Sequence, residues 1–257
     1  MSFSRVKAFA PTSRALASGY MEEISAAMPL NRQDILLDVG CGVGGLTALL
    51  SKRVARVTAL DISPEMIKEA KEISTAENIT YSVGDATKLS TYEEYRNSFD
   101  KVVAYFSLHW MKDFKTAVEG IHQSLKPGGQ CFMNMIQRYP NVIDNITALN
   151  SYTSPKWETF MKGYEHDYYP FKGSVGEFQQ MLVGIGFKDI DCTQDDPKFF
   201  FKKDEGKAFF PNFMGQMARF PEDRREEYIE DALTSAFGTV EEEYCLTLSL
   251  ITAVARK

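Results

Sequence analysis

The chain has 257 residues, 44% of them hydrophobic, and a net charge of −6. That allows one large α/β domain, with or without a cap, and argues against a nucleic-acid-binding face, which needs a basic stripe. Its four cysteines (Cys41, Cys131, Cys192, Cys245) form no C-x-x-C pair and its three histidines are scattered, so no metal site is expected. Free thiols in a reducing cytoplasm are expected instead, as are the absence of a signal peptide and of a membrane span.

Taken in order, residues 1–33 read as helical, because Leu16, Tyr20 and Ile24 fall four apart and Pro29 ends the run. Ile35–Leu37 is the apolar body of a first strand. Asp38 follows, and Gly40-Cys41-Gly42-Val43-Gly44-Gly45 turns the chain into a helix reaching about Lys52. Ala55–Leu60, closed by Asp61, is a second strand. Ser63-Pro64-Glu65 opens the next helix with a capping hydroxyl, proline at the first helical position and an acid in the first turn. Met66, Ile67, Ala70 and Ile73 give it a buried stripe. Alternating Ile79, Tyr81 and Val83 predict a third strand that ends at Asp85. Val102–Ala104 starts a fourth, continuing into Tyr105-Phe106-Ser107-Leu108-His109-Trp110. A helix with Phe114, Ala117, Val118, Ile121 and Leu125 on one face comes next; Lys126-Pro127-Gly128-Gly129 breaks it before a fifth strand, Cys131–Ile136. Five strand–helix alternations require a parallel sheet wound right-handedly.

Residues 139–172 interrupt this rhythm with Tyr139, Tyr152, Trp157, Phe160, Tyr164, Tyr168, Tyr169 and Phe171, more aromatic surface than a connector needs. Ser174-x-x-Glu177 is a capping box that opens a helix stopped by Gly186, and Phe187–Cys192, extended by Phe199–Phe201, reads as a sixth strand. A second insertion, about 203–243, holds Phe209, Phe210, Phe213, Met214, Met217 and Phe220 and a helix from Pro221 to Phe237; Cys245–Ala255 is the last strand. Both a pocket lined by methionine and aromatic faces and a second core account for the two insertions.

The glycine cluster directs the functional reading. Glycines let a ligand approach the main chain, and the helix behind them offers unpaired N–H groups. Gly40-x-Gly42-x-x-Gly45 satisfies the dinucleotide fingerprint, with Asp61 at about the right distance. Asp38, however, would crowd a pyrophosphate and suits an ammonium group, and Asp85 adds a third acid at a third strand end. This arrangement resembles the class I methyltransferases, which bind S-adenosylmethionine (SAM). The resemblance implies a Rossmann-like, mainly parallel seven-stranded sheet with an antiparallel last strand, helices on both faces and helical cap insertions, all in one domain over 1–257. It assigns Asp38 to the methionine end of the cofactor, Asp61 to the ribose hydroxyls and Asp85 to the adenine amino group. Gly40, Cys41, Gly42, Gly44, Ile62, Ala86 and Tyr105 complete the expected cofactor shell.

Leu108-His109-Trp110, the K-P-G-G turn, Lys156-Trp157 and Gly186-Phe187 resemble the juvenile hormone acid O-methyltransferases. On that likeness the Trp110 indole N–H holds an acceptor carboxylate, with His109 beside it as the second catalytic candidate. The family also uses a glutamine in its N-terminal helix as a carboxylate grip. Residues 1–32 contain none, and Thr12 or Ser13 is the available substitute. A carboxylate acceptor is already nucleophilic; an amine or phenol needs a base, and His109 is the candidate. The reading is thus a SAM-dependent O-methyltransferase for a small, largely apolar acid. Another small N or O nucleophile, a nicotinamide oxidoreductase and a SAM-binding regulator stay open as alternatives, and the oligomeric state is not legible.

Overall fold

The computed structural model describes residues 16–138, 155–164, 168–210, 217 and 219–257. Thr12, Ser13, Tyr139, Tyr152, Phe213 and Met214 lie outside them. The chain forms two compact units. The first comprises Met1–Met135, Tyr168–Gln194 and Ile251–Lys257; the second comprises Ile136–Asp167 and Asp195–Leu250.

The first unit is built on strands β1 (Ile35–Val39), β2 (Arg56–Asp61), β3 (Ile79–Val83), β4 (Phe99–Ala104), β5 (Leu125–Arg138), β6 (Lys188–Asp195) and β9 (Ser249–Arg256). They form one seven-stranded sheet in the order β3-β2-β1-β4-β5-β9-β6, mostly parallel with the last strand antiparallel. Successive residues of a strand face opposite sides, and the core divides accordingly. Leu37, Val102, Cys131 and Met133 pack with helices α4 (Phe114–Ser124) and α6 (Val175–Ile185) through Val118, Ile121, Phe178 and Leu182. Leu36, Val103 and Phe132 pack on the other side with α1 (16–27), α2 (Gly45–Leu50) and α3 (Pro64–Ile73) through Ile24, Leu50 and Ile67. Burying both faces is what lets these strands read as continuous apolar runs.

Local sequence chemistry sets the helix ends as expected. The Ser63 hydroxyl accepts from Met66 N at 3.2 Å. Ser174 and Glu177 close a reciprocal capping box, and Gly186 ends α6 at φ +113°. Elsewhere the structure departs from the sequence reading. The β4 strand stops at Ala104, and Leu108–Trp110 is a 3-10 turn. Lys126-Pro127-Gly128-Gly129 lies inside β5, where the pairing with β4 slips from Phe99↔Leu125 to Lys101↔Gln130 and Gly128 takes φ +80°. The turn residues make a bulge in a strand rather than a loop before it. Val83, expected on a covered face with Tyr81, is exposed.

The second unit contains a short helix, α5 (Glu158–Met161), and α7 (Lys203–Phe209), α8 (Glu222–Phe237) and a two-stranded antiparallel sheet. That sheet pairs β7 (Lys198–Lys202) with β8 (Glu243–Thr247), Phe200 opposite Cys245. Phe199–Phe201 therefore does not extend β6, and Cys245 does not begin the last strand of the large sheet. Among the described residues no helix is long and apolar enough to cross a membrane.

Candidate functional site

The strand order runs outward in opposite directions from β1 and β4, and ligands of open α/β sheets bind in the crevice beyond the carboxyl ends of such a pair. The β1 side of this crevice is the glycine loop. Its first two amides, Gly40 N and Cys41 N, donate to the Leu60 carbonyl at 2.7 and 3.0 Å, which fixes it against β2. A Cβ on Gly40 would lie 2.3 Å from the Ser107 Cβ, and one on Gly44 would lie 2.6 Å from the Tyr81 hydroxyl. Close packing therefore demands both glycines. Gly42 differs: it takes φ +54°, yet a Cβ there would meet nothing within 4 Å. The loop is braced at both ends and opens at its middle.

Three carboxylates serve this edge. Asp38, one residue before the end of β1, is buried and accepts from the Thr47 hydroxyl at 2.6 Å. Burial raises its pKa to about 7, against the lowering effect of Thr47 and with a further push from Asp61. Asp61 accepts from Gly42 N and Ser63 N, both at 2.9 Å, tying the tip of β2 to the open part of the loop. Its pKa is also raised, by burial, against those two hydrogen bonds. One oxygen of Asp85 accepts from Thr87 N and Oγ1 at 2.9 and 2.7 Å, capping a 3-10 turn that starts at the buried Ala86; the other lies 3.9 Å from Lys88 Nζ. Beside these acids stand two apolar side chains left in the open, Ile62 (69% exposed) and Val83 (53%), the latter in register with Asp61. The Cys41 thiol, pushed far up by burial and then by Asp38 and Asp61, is protonated.

The β4 side begins with Tyr105. It is buried, its hydroxyl donates to the Glu23 carboxylate of α1, and its ring stacks on Phe132 at 5.7 Å. Phe106 then adopts φ +50°, a left-handed conformation that a bulky side chain takes only at a cost of roughly 1–2 kcal/mol. After it, Ser107 is buried. The 3-10 turn sends the next two candidates different ways. His109 is 1% exposed, edge-on to Tyr168 at 5.5 Å, and its carbonyl accepts from Tyr169 N at 2.7 Å. Burial lowers its pKa to about 3, so the imidazole is neutral at physiological pH and a poor proton acceptor. Trp110 is 38% exposed, with one edge against Tyr168 at 5.9 Å.

This edge, with its glycine loop, three strand-end acids and open apolar side chains, lies within residues 37–133, and those residues match the family model described as a methyltransferase domain. The chain carries a methyltransferase domain and is a SAM-dependent methyltransferase. The methyltransferase is 28% identical over 247 residues to the juvenile hormone acid O-methyltransferase of Drosophila melanogaster, covering 88% of this chain and 81% of the relative. In fold it is similar to the YcgJ protein of Bacillus subtilis (TM-score 0.64, 18% identity, 93% of this chain and 98% of that one). It is similar too to a phosphoethanolamine N-methyltransferase of Haemonchus contortus solved with S-adenosylhomocysteine (TM-score 0.58, 17% identity), which it covers to 53% of that chain and 93% of its own.

The groups present fit that cofactor. The loop is open at Gly42, acids suited to an ammonium and a diol stand at successive strand ends, and bare apolar surface adjoins them. Among the residues expected from sequence, Asp38, Gly40, Cys41, Gly42, Gly44, Asp61, Ile62, Asp85 and Ala86 come from the tips of β1, β2 and β3. Tyr105 and His109 are packed inward, and Trp110 is partly exposed beside His109 and Tyr168. Sequence reasoning gave neither Val83 nor Ser107 a role of its own, although both lie in stretches it singled out. Val83 looked like an ordinary core position of an alternating strand, and Ser107 carries no local signal.

In the second unit, Lys156-Trp157 is structural. Trp157 is fully buried against Phe220 and Tyr228, and its indole N–H donates to Asp231 at 3.0 Å. Phe209, Phe210, Met217 and Phe220 are buried as well. These residues build a second core, whereas Tyr168 and Phe171 of the first insertion pack within the first unit, against His109 and Phe178.

Proposed function

We propose that this methyltransferase esterifies the carboxylate of a small, largely apolar acid. The observation that carries the reading is the divergence at the tip of β4. Trp110 is partly exposed, while the neighbouring His109 is buried and held neutral. A site with a partly exposed tryptophan and a histidine too weakly basic to act as base suits a nucleophile that arrives ionised. The likeness to a juvenile hormone acid O-methyltransferase supports the same acceptor chemistry.

When bound, SAM supplies a methyl group on a sulfonium sulfur that leaves as a neutral thioether. In this reading Asp38 would hold the ammonium of the cofactor, Asp61 the ribose diol and Asp85 the adenine amino group. Gly40, Cys41, Gly42, Gly44, Ile62 and Ala86 line that path, and Tyr105 anchors the β4 tip from behind. Trp110 would donate to one oxygen of the acceptor carboxylate and so orient it. The work is alignment and desolvation, which in favourable cases removes roughly 7–11 kcal/mol of barrier. We assign the two compact units to one enzyme domain acting on a small-molecule acceptor, and place it in the cytoplasm on the strength of its four free thiols.

The test is S-adenosylhomocysteine release against aliphatic acids of increasing length, alongside amines and phenols. Acids should turn over, with acceptor affinity rising by about 0.8 kcal/mol for each CH₂ buried. Turnover confined to amines or phenols, or a preference for polyanionic acids, refutes the reading.

A further inference from the structure

We propose that the Ser107 hydroxyl is a cofactor-binding group, hydrogen-bonding the amino-acid end of SAM from the β4 side of the crevice; the proposal rests on the methyltransferase reading above. Ser107 is 5% exposed, and its Oγ has no hydrogen-bond partner among the described residues. Buried hydroxyls are almost always satisfied, so an orphan next to a ligand-binding loop points to a partner that arrives from outside.

Its placement is built rather than incidental. Phe106, immediately before it, is held at φ +50°, and backbone strain of that kind persists only where the surroundings enforce it. The side chain packs on the glycine loop: a Cβ added to Gly40 would lie 2.3 Å from the Ser107 Cβ and 3.1 Å from its Oγ. Gly40 thus makes room for Ser107, whose hydroxyl stands beside the first glycine of the loop.

Sheet order identifies the part of the ligand involved. Acids mark the ends of β3 (Asp85), β2 (Asp61) and β1 (Asp38), and the next strand in the sheet is β4. A ligand laid across these tips with its adenine over β3 and its ribose over β2 brings its α-amino and carboxylate groups to β1 and β4. Asp38 suits the ammonium. Ser107, able to donate, suits the carboxylate beside it.

The experiment compares wild type with Ser107→Ala by calorimetric titration with S-adenosylhomocysteine and with 5′-methylthioadenosine, which lacks the amino-acid end, together with a melt of the ligand-free proteins. The variant should bind S-adenosylhomocysteine about tenfold more weakly, as expected for a lost hydrogen bond to a charged group, and bind methylthioadenosine as the wild type does. Its ligand-free melting temperature should stay the same or rise, because alanine removes a buried hydroxyl that had no partner. Ser107→Cys, with a weaker donor, should fall between the two. Unchanged S-adenosylhomocysteine affinity overturns the proposal, as does equal weakening of both ligands or a lowered ligand-free melting temperature. A wild-type protein that ignores S-adenosylhomocysteine refutes the cofactor reading itself, and the role of Ser107 with it.

Discussion

Trp110 and Trp157, the two tryptophans of the chain, stand in opposite surroundings. Trp157 is closed in by Phe220 and Tyr228, with its N–H on Asp231, an oxygen that also accepts from Lys156 Nζ at 2.6 Å. Its aromatic face and its polar tip are both used within the second unit. Trp110 sits on a three-residue 3-10 turn, in contact along an edge and 38% exposed. The same contrast extends to their neighbourhoods. Around Trp157 the polar groups pair and the rings pack. Around the β1–β4 crevice an acid is buried near its neutral form, Phe106 is strained and the Ser107 hydroxyl is orphaned. Stability is concentrated in one place and forgone in the other, the pattern expected where a site must present groups to a ligand.

The contrast can be broken first at its stable end. Trp157→Ala should cost about 3–5 kcal/mol in chemical denaturation, the range for deleting a large buried aromatic side chain. A loss below about 1 kcal/mol would mean that the second unit is not held by this cluster.

The crevice end is sharpened by pH. Asp38 has a pKa of about 7 in the folded, ligand-free protein, above the ordinary carboxylate value. The folded state thus binds this proton more tightly than the unfolded chain does, so the contribution of Asp38 to stability falls as pH rises from about 4 to about 7. A ligand ammonium favours the carboxylate, so binding should release a proton below pH 7. S-adenosylhomocysteine affinity should then weaken by about tenfold for each pH unit, or about a hundredfold by pH 5. Asp38→Asn should flatten that slope. A slope unchanged in Asp38→Asn would remove Asp38 from the ammonium site.

Much of this was legible from residues whose meaning is local. The caps at Ser63 and Ser174, the stop at Gly186 and the acids at three strand ends follow from short-range chemistry, and the structure carries them at those places. What sequence missed depends on distant partners. Lys126-Pro127-Gly128-Gly129 looks like a turn, but its register against β4 makes it a bulge. Phe199–Phe201 alternates like any strand, and only β8 shows which sheet it joins. His109 and Trp110 are adjacent in sequence, yet in a 3-10 turn neighbouring side chains point about a third of a turn apart, so one is buried and the other is not. Ser107 acquires its meaning from Gly40, 67 positions away in the sequence numbering.

The measurement closest to the central claim is the kinetics of Trp110→Phe, with its melting temperature and S-adenosylhomocysteine affinity taken alongside. Phenylalanine keeps most of the ring face and deletes the N–H. With the side chain already partly exposed, fold and cofactor affinity should be retained. kcat/KM for the acid should fall by about ten- to a hundredfold, roughly 1.5–3 kcal/mol for a hydrogen bond to a charged group. A lower melting temperature with unchanged turnover per folded molecule would contradict the account, because Trp110 would then be a packing residue like Trp157.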